Sequence, residues 1–286
     1  MRLRRAELTN GVELHFVERG VGTPVVLMHG GLGDCRAWEA QIAALAGRFR
    51  VVAYSRRHSS PNRNPPTPHS LQADVEDLDG LLRQLGIESS HWVGTSYGAV
   101  VALAAALKQP AAVRSLVLAE PPLHAWAGRT SAGAELFATF MENAWRPARA
   151  AFDRGDDPQA VRLLIDGMAG RGVFASLAPP RRELALRNAA AMRLHAQAAD
   201  PFPCLSRVAV EQLGVRSMLV QGAQTSDLHR CVTDELAAAM ASATRVAIAA
   251  AGHACTMDQP EAFNAALLRF LRDEAPPTAG VPGRSP

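Results

Sequence analysis

Lysine is nearly absent from this chain. Lys108 is the one lysine among 30 basic residues, in a sequence of 286 residues with a net charge of +3. No G-x-x-x-x-G-K-[ST] phosphate loop can be written with it, and the glycine-rich stretch His29–Asp34 also lacks the G-x-G-x-x-G dinucleotide fingerprint. No nucleotide or other cofactor is therefore expected. The four cysteines (Cys35, Cys204, Cys231, Cys255) show no C-x-x-C spacing. That speaks against a metal site or a disulfide framework, and reduced thiols fit a cytoplasmic protein. Aromatic residues make up only 5%, and the arginine clusters at 2–5, 56–57 and 181–182 have none interleaved. They read as solvated faces, so no nucleic-acid partner is expected. The start, Met-Arg-Leu-Arg-Arg-Ala-Glu, leads into no apolar secretory segment. The Ala-rich runs are interrupted by Lys108 or Arg245, so no membrane span is expected.

What is present is apolar residue in quantity: 48% of the chain, enough for a large core. Two strands, Leu3–Thr9 and Val12–Glu18, flank the hairpin signal Asn10-Gly11. Short apolar runs at Pro24–Met28, Arg50–Tyr54, His91–Gly94 and Ser115–Ala119 then alternate with helical periodicity at Trp38–Leu45, Leu71–Leu85 and Ala99–Leu107. Such alternation predicts a parallel sheet with helices on both faces. It stops near Pro121-Pro122. A helical, Ala- and Arg-rich block follows, and alternation resumes with Ser217–Gln221, a helix near Asp234–Met240, Arg245–Ala249 and Glu261–Leu271. The expected organisation is an α/β core at 1–122 and 206–274, a helical cap at 123–205 and a disordered tail at 275–286.

The chemistry is written most clearly in Gly94-Thr95-Ser96-Tyr97-Gly98, between the apolar run at 91 and the Ala-rich helix. A G-x-S-x-G turn between strand and helix exposes its serine and aims the helix N-terminus at charge formed there. Serine is a weak nucleophile, so Ser96 needs a base and a place for an oxyanion. His253, in Ala251-Gly252-His253 after a strand, can reach the carboxyl edge of the sheet and is the expected base. His58 and His124 border the pocket at most, and His69, His195 and His229 read as surface residues. Glycines in His29-Gly30-Gly31-Leu32-Gly33 let a backbone N–H face the site, so Gly31 and Tyr97 are the expected oxyanion donors.

Together, His29-Gly30-Gly31, the Ser96 turn and Gly252-His253 resemble the α/β-hydrolase superfamily over roughly residues 8–272. The resemblance implies an eight-stranded, mostly parallel sheet, a lid after the sixth strand and a triad in the order Ser, acid, His. It also implies an acid three residues after the glycine ending the seventh strand, where this chain has Thr225. Two carboxylates compete for the role. Asp227 lies two residues further on. Glu120 ends the sixth strand, next to the strand carrying Ser96, and neighbouring strands lie about 4.8 Å apart. Some relatives by resemblance place their acid after this strand, and Glu120 is favoured, with Asp227 as the alternative.

After the fourth strand, Ser55-Arg56-Arg57 replaces the acidic, Gly-rich turn that many similar proteins carry. Arg56 and Arg57 either pair with an anionic substrate group or, the favoured reading, brace the core or face water. The pocket is expected to be apolar, built from His29, Gly30, Leu32, Trp126, Phe137, Phe140 and Met141. Cys255, near His253, reads as packing. The reading is a cofactor-free serine hydrolase acting on a small hydrophobic ester or lactone. Carbon–carbon bond hydrolysis, acyl transfer, a haloperoxidase-like activity and low-turnover ligand binding on the same fold are the alternatives. The sequence leaves homo-oligomerisation open.

Overall fold

A computed structural model describes residues 1–272; the expected tail lies outside the described residues. Eight strands form one sheet in the order β1-β2-β4-β3-β5-β6-β7-β8. They are β1 Arg4–Glu7, β2 Glu13–Arg19, β3 Pro24–Met28, β4 Arg50–Tyr54, β5 Ser90–Thr95, β6 Val113–Ala119, β7 Ser217–Gly222 and β8 Thr244–Ile248. β2 runs antiparallel to β1 and β4, and the pairs from β4 through β8 are parallel. The β1–β2 turn passes through Gly11 at φ +79, a left-handed conformation that glycine adopts without strain.

The parallel strands from β3 to β7 bury both faces, which is why they read as largely apolar runs, while the edge strand β8 is mostly exposed. Val26, Met28, Trp92, Leu116 and Leu118 point into one core cluster. Their neighbours Val25, Leu27, Val93, Val117 and Ala119 point into the other. Helices α1 Glu39–Leu45, α2 Leu71–Gln84 and α3 Tyr97–Lys108 cover the first half of the sheet. α2 begins at the Ser70 N-cap, whose hydroxyl accepts from the Ala73 N–H. α3 is so small and apolar that it is almost wholly buried.

Between β6 and β7 lies the helical cap: α4 His124–Ala127, α5 Ser131–Phe140, a π-helical turn Met141–Trp145, α6 Arg146–Asp153, α7 Asp157–Ala169, α8 Val173–Ser176, α9 Pro179–Arg187 and α10 Ala189–Ala196, with α11 Arg207–Glu211 leading back to the sheet. The chain closes with α12 Asp227–Ala239, α13 Cys255–Asp258 and α14 Pro260–Arg272. α12 starts about two turns before the expected Asp234, because Ser226 caps it by accepting from the His229 N–H. Among the described residues no helix is long and apolar enough to cross a membrane.

Polar links join cap to core, among them those of Asn188 and Arg181. The Asn188 amide donates to Asp34 Oδ2 at 2.9 Å and accepts from the Ser60 N–H at 2.9 Å, in a buried setting. Nearer the surface, the Arg181 guanidinium donates to Asp258 Oδ1 at 2.8 Å.

Candidate active site

β5 delivers Ser96 at its carboxyl end, and α3 begins one residue later. Ser96 has φ 50 and ψ −126, a strained turn that lifts the side chain clear of the sheet. The turn is tight enough to demand its glycines. A Cβ on Gly94 would stand 2.5 Å from the Ala99 Cα, and one on Gly98 would collide with the Met28 carbonyl. The Ser96 N–H donates to the Ala119 carbonyl at 2.8 Å, which ties the turn to β6.

His253 follows β8 and stands between Ser96 and Glu120. Its Nε2 lies 3.0 Å from Ser96 Oγ, and its Nδ1 lies 2.8 Å from Glu120 Oε2. Glu120 is also at φ 50, and its N–H donates to the Val220 carbonyl at 3.1 Å. Its carboxylate accepts from the Gly222 N–H at 2.8 Å and from the Thr225 hydroxyl at 2.7 Å. Thr225, standing where an acid was expected, is thus a donor to the Glu120 carboxylate at the end of the neighbouring strand. Asp227 opens α12 with its side chain 80% exposed and turned toward Arg230; the fold does not bring it to His253.

Gly31 and Tyr97 both line the cavity beside Ser96. Behind them, the Arg56 N–H donates to His29 Nε2 at 3.0 Å. His29 Nδ1 is left to donate to the Gly30 carbonyl, 2.8 Å away. The Arg56 guanidinium donates to the same carbonyl at 3.2 Å and sits 4.7 Å over the Tyr97 ring. Burial, and next the Arg56 charge, pushes the His29 imidazole down to about 3. Arg56 therefore braces the glycine loop, while Arg57 pairs with Asp77 at 2.7 Å; neither faces the cavity.

The cavity measures about 230 Å³ and is walled mainly by apolar side chains. Gly30, Leu32 and Phe140 line it as expected. Trp126, Phe137, Met141 and His29 are not among its lining residues. Trp126 is turned to the Leu205 carbonyl, to which its indole N–H donates at 3.1 Å. Phe137 packs behind the wall on His124 and Phe202. Met141 packs against the core from the π-helical turn, and His29 is turned to Arg56. The wall is instead completed by residues such as Trp38, Trp145, Leu164, Met192 and Phe202. Phe202 carried a legible signal, since Pro201 and Pro203 stiffen the chain on either side of it.

The histidines depart most from expectation. His195 and His229 are buried rather than on the surface, and the His69 side chain is only 8% exposed. His124 and His195 line the cavity, but His58 does not; its ring meets Thr67. Burial pushes His69, His124 and His195 each down to about 3 and lowers His229 well below the usual imidazole range. These rings stay neutral at pH 7. His229 lies against His253, ring centroids 4.1 Å apart. Cys255 is buried, and burial pushes its thiol up, consistent with packing.

Comparison with known proteins places this architecture. The model of the alpha/beta hydrolase family matches residues 25–266. A protein of Caulobacter sp. (strain K31) named "Putative carbamate hydrolase RutD" is 28% identical over 270 residues, covering 87% of this chain and 91% of that one. A solved hydrolase from Pseudomonas aeruginosa PA01 is 26% identical, with a TM-score of 0.60 over 94% of this chain and 98% of its own. A thermophilic esterase from Thermogutta terrifontis shares the fold at 23% identity, with a TM-score of 0.74 over 95% of this chain and 98% of its own. With the family model spanning most of its length, this chain is a hydrolase and belongs to the alpha/beta hydrolase family.

Proposed function

We propose that the protein is a serine hydrolase that cleaves a carboxylic ester or lactone with an apolar acyl group of moderate size. The observation that carries this reading is the continuous relay from Ser96 Oγ through His253 to Glu120, at 3.0 and 2.8 Å. Nδ1–H of His253 donates to the carboxylate, which leaves the Nε2 lone pair facing serine. Ser96 Oγ attacks the carbonyl carbon while its proton passes to Nε2. The tetrahedral oxyanion is held by the Gly31 and Tyr97 N–H groups. Nε2–H then protonates the leaving alkoxide, and the acyl group stays on Ser96. Water, deprotonated by His253, attacks the acyl-enzyme and releases the acid. Glu120 remains a carboxylate throughout and stabilises the imidazolium formed at each attack.

The cavity argues for the substrate class. Its apolar wall favours burying hydrocarbon, and its volume of about 230 Å³ suits a short or medium chain or a lactone ring. The name of the Caulobacter relative raises a carbamate as a second candidate. A carbamate offers the same carbonyl to Ser96, but an unsubstituted one would leave most of this wall unfilled.

The test is a panel of p-nitrophenyl esters, lactones and N-alkyl carbamates, run beside a fluorophosphonate label. Cleavage of butyrate or hexanoate esters above acetate, with the label on Ser96, is the expected result. A folded protein that neither takes the label nor cleaves any of them overturns the reading in favour of ligand binding.

A further inference from the structure

The residues around His253 assemble a second set of donors that the hydrolytic relay does not use as a set. One carboxylate oxygen of Glu120 and one ring nitrogen each of His229 and His253 lie within 4.8 Å of one another, all on buried side chains. These positions are far apart in sequence and carry no ligand-spacing motif; the ends of β6 and β8 and the first turns of α12 bring them together. Among the described residues, His229 Nε2 is a buried atom without a hydrogen-bond partner. Its Nδ1 lies 2.8 Å from Ser226 Oγ. With the ring proton on Nδ1 and donated to that hydroxyl, Nε2 presents a lone pair.

We propose that Glu120, His229 and His253 form an inhibitory binding site for a divalent transition cation, with Zn²⁺ the best match to the donors. Two imidazoles and one carboxylate are a recurrent zinc set, with bonds of about 2.0–2.2 Å. Donors around a tetrahedral ion then stand about 3.4 Å apart. The 2.8 Å contact between His253 and Glu120 opens slightly, and the wider separations close by no more than about 1.4 Å. The outer partners that orient such ligands are present: Ser226 on His229, Gly222 and Thr225 on Glu120. Water fills the fourth position. His253 and His124 line the cavity, and His124 stands edge-on to His229 with centroids 5.3 Å apart. The donor set is therefore one ring behind the cavity wall.

The consequence for catalysis follows from counting protons, and it rests on the role proposed above for His253. A neutral imidazole carries one proton. In the working tautomer it sits on Nδ1. An ion bound to the Nδ1 lone pair forces that proton onto Nε2, where it faces Ser96 Oγ. No lone pair is left to accept the serine proton. Catalysis stops while the cavity stays open to substrate, so the ion lowers kcat and leaves KM nearly unchanged.

The test uses the purified full chain. Added Zn²⁺ should lower kcat for p-nitrophenyl butyrate at one ion per chain, with KM within about twofold and full recovery on chelation. Co²⁺ should give the intense visible absorption of a four-coordinate site. His229→Phe, which keeps a ring against His253, and His229→Gln, which keeps a polar partner for Ser226, should each weaken Co²⁺ binding at least tenfold. The Co²⁺ spectrum does not depend on turnover, so a failed ester assay and a failed metal site are distinguishable. In case neither variant folds, a Zn²⁺-soaked wild-type crystal decides. Anomalous density between the three side chains supports the site, and zinc found only elsewhere overturns it. Equal Co²⁺ affinity in folded wild type and variants, or no saturable binding, overturns it as well.

Discussion

The carboxyl edge of the sheet and the cap above it are held by different forces. At the edge, Ser96 and Glu120 each leave a strand in a left-handed conformation, and each is tied by its own backbone N–H to the next strand. Side-chain positions there follow from main-chain geometry with little slack. In the cap, Phe140, Trp145 and Phe202 pack ring against ring, and the polar links to the core include Asn188 and Arg181. Cap positions follow from side-chain packing that other apolar residues can satisfy. On the function proposed above, the contrast assigns the edge to the bond attacked and the cap to what is attached to it.

The sharpest way to break that contrast is at Ser96. Ser96→Ala should lower ester turnover by about 10⁴-fold or more, with the far-ultraviolet circular dichroism unchanged. Next comes the acid. Glu120→Gln should lower kcat by about 10²- to 10⁴-fold, because the amide cannot stabilise the imidazolium. Asp227→Asn should stay within about twofold; the reverse pattern in steady-state kinetics would assign the acid to the loop after β7.

Cap links should register in stability instead. Asn188→Ala leaves the buried Asp34 carboxylate and the Ser60 N–H each one partner short, at a cost of about 2–3 kcal/mol by urea unfolding. Arg181→Ala removes a half-exposed ion pair, and its cost should be under about 1 kcal/mol and vanish at high salt.

A further effect, between those of Asn188 and Arg181 in size, appears on acidification. His124 is held down at about 3 in the folded chain, against about 6.5 when unfolded. Between those values the unfolded chain binds a proton that the folded chain refuses, so stability falls as pH drops below about 6.5. His124→Phe removes one such group. Its stability relative to wild type should improve by about 1.4 kcal/mol between pH 7.5 and pH 5.5, read from the unfolding midpoints.

The same contrast governs what could be read from the sequence. Strands 24–28 and 50–54 are continuous apolar runs and are found at those bounds. Ser96 and His253 sit beside glycines at strand ends, where local chemistry marks them. The favoured acid needed only strand adjacency, and the fold sets Glu120 beside His253 while Asp227 faces solvent. The pocket wall was largely illegible. Helical periodicity shows that Trp126, Phe137 and Met141 turn toward something apolar, but not whether that is the cavity, another cap helix or the sheet. His195 and His229 read as surface residues because their partners, the Pro201 carbonyl and Ser226, matter only once the helices are capped and packed.

Glu120 is also the last residue before the chain departs through Pro121 and Pro122 into the cap. The groups that clamp its carboxylate, Gly222 and Thr225, lie where the chain has just come back. The excursion is thus stapled shut at its two ends by one carboxylate. Changes confined to the cap, before α11 and β7 return the chain to the sheet, leave the staple in place. Such an arrangement is a socket, and new specificities can be plugged into it without rewiring the machinery underneath.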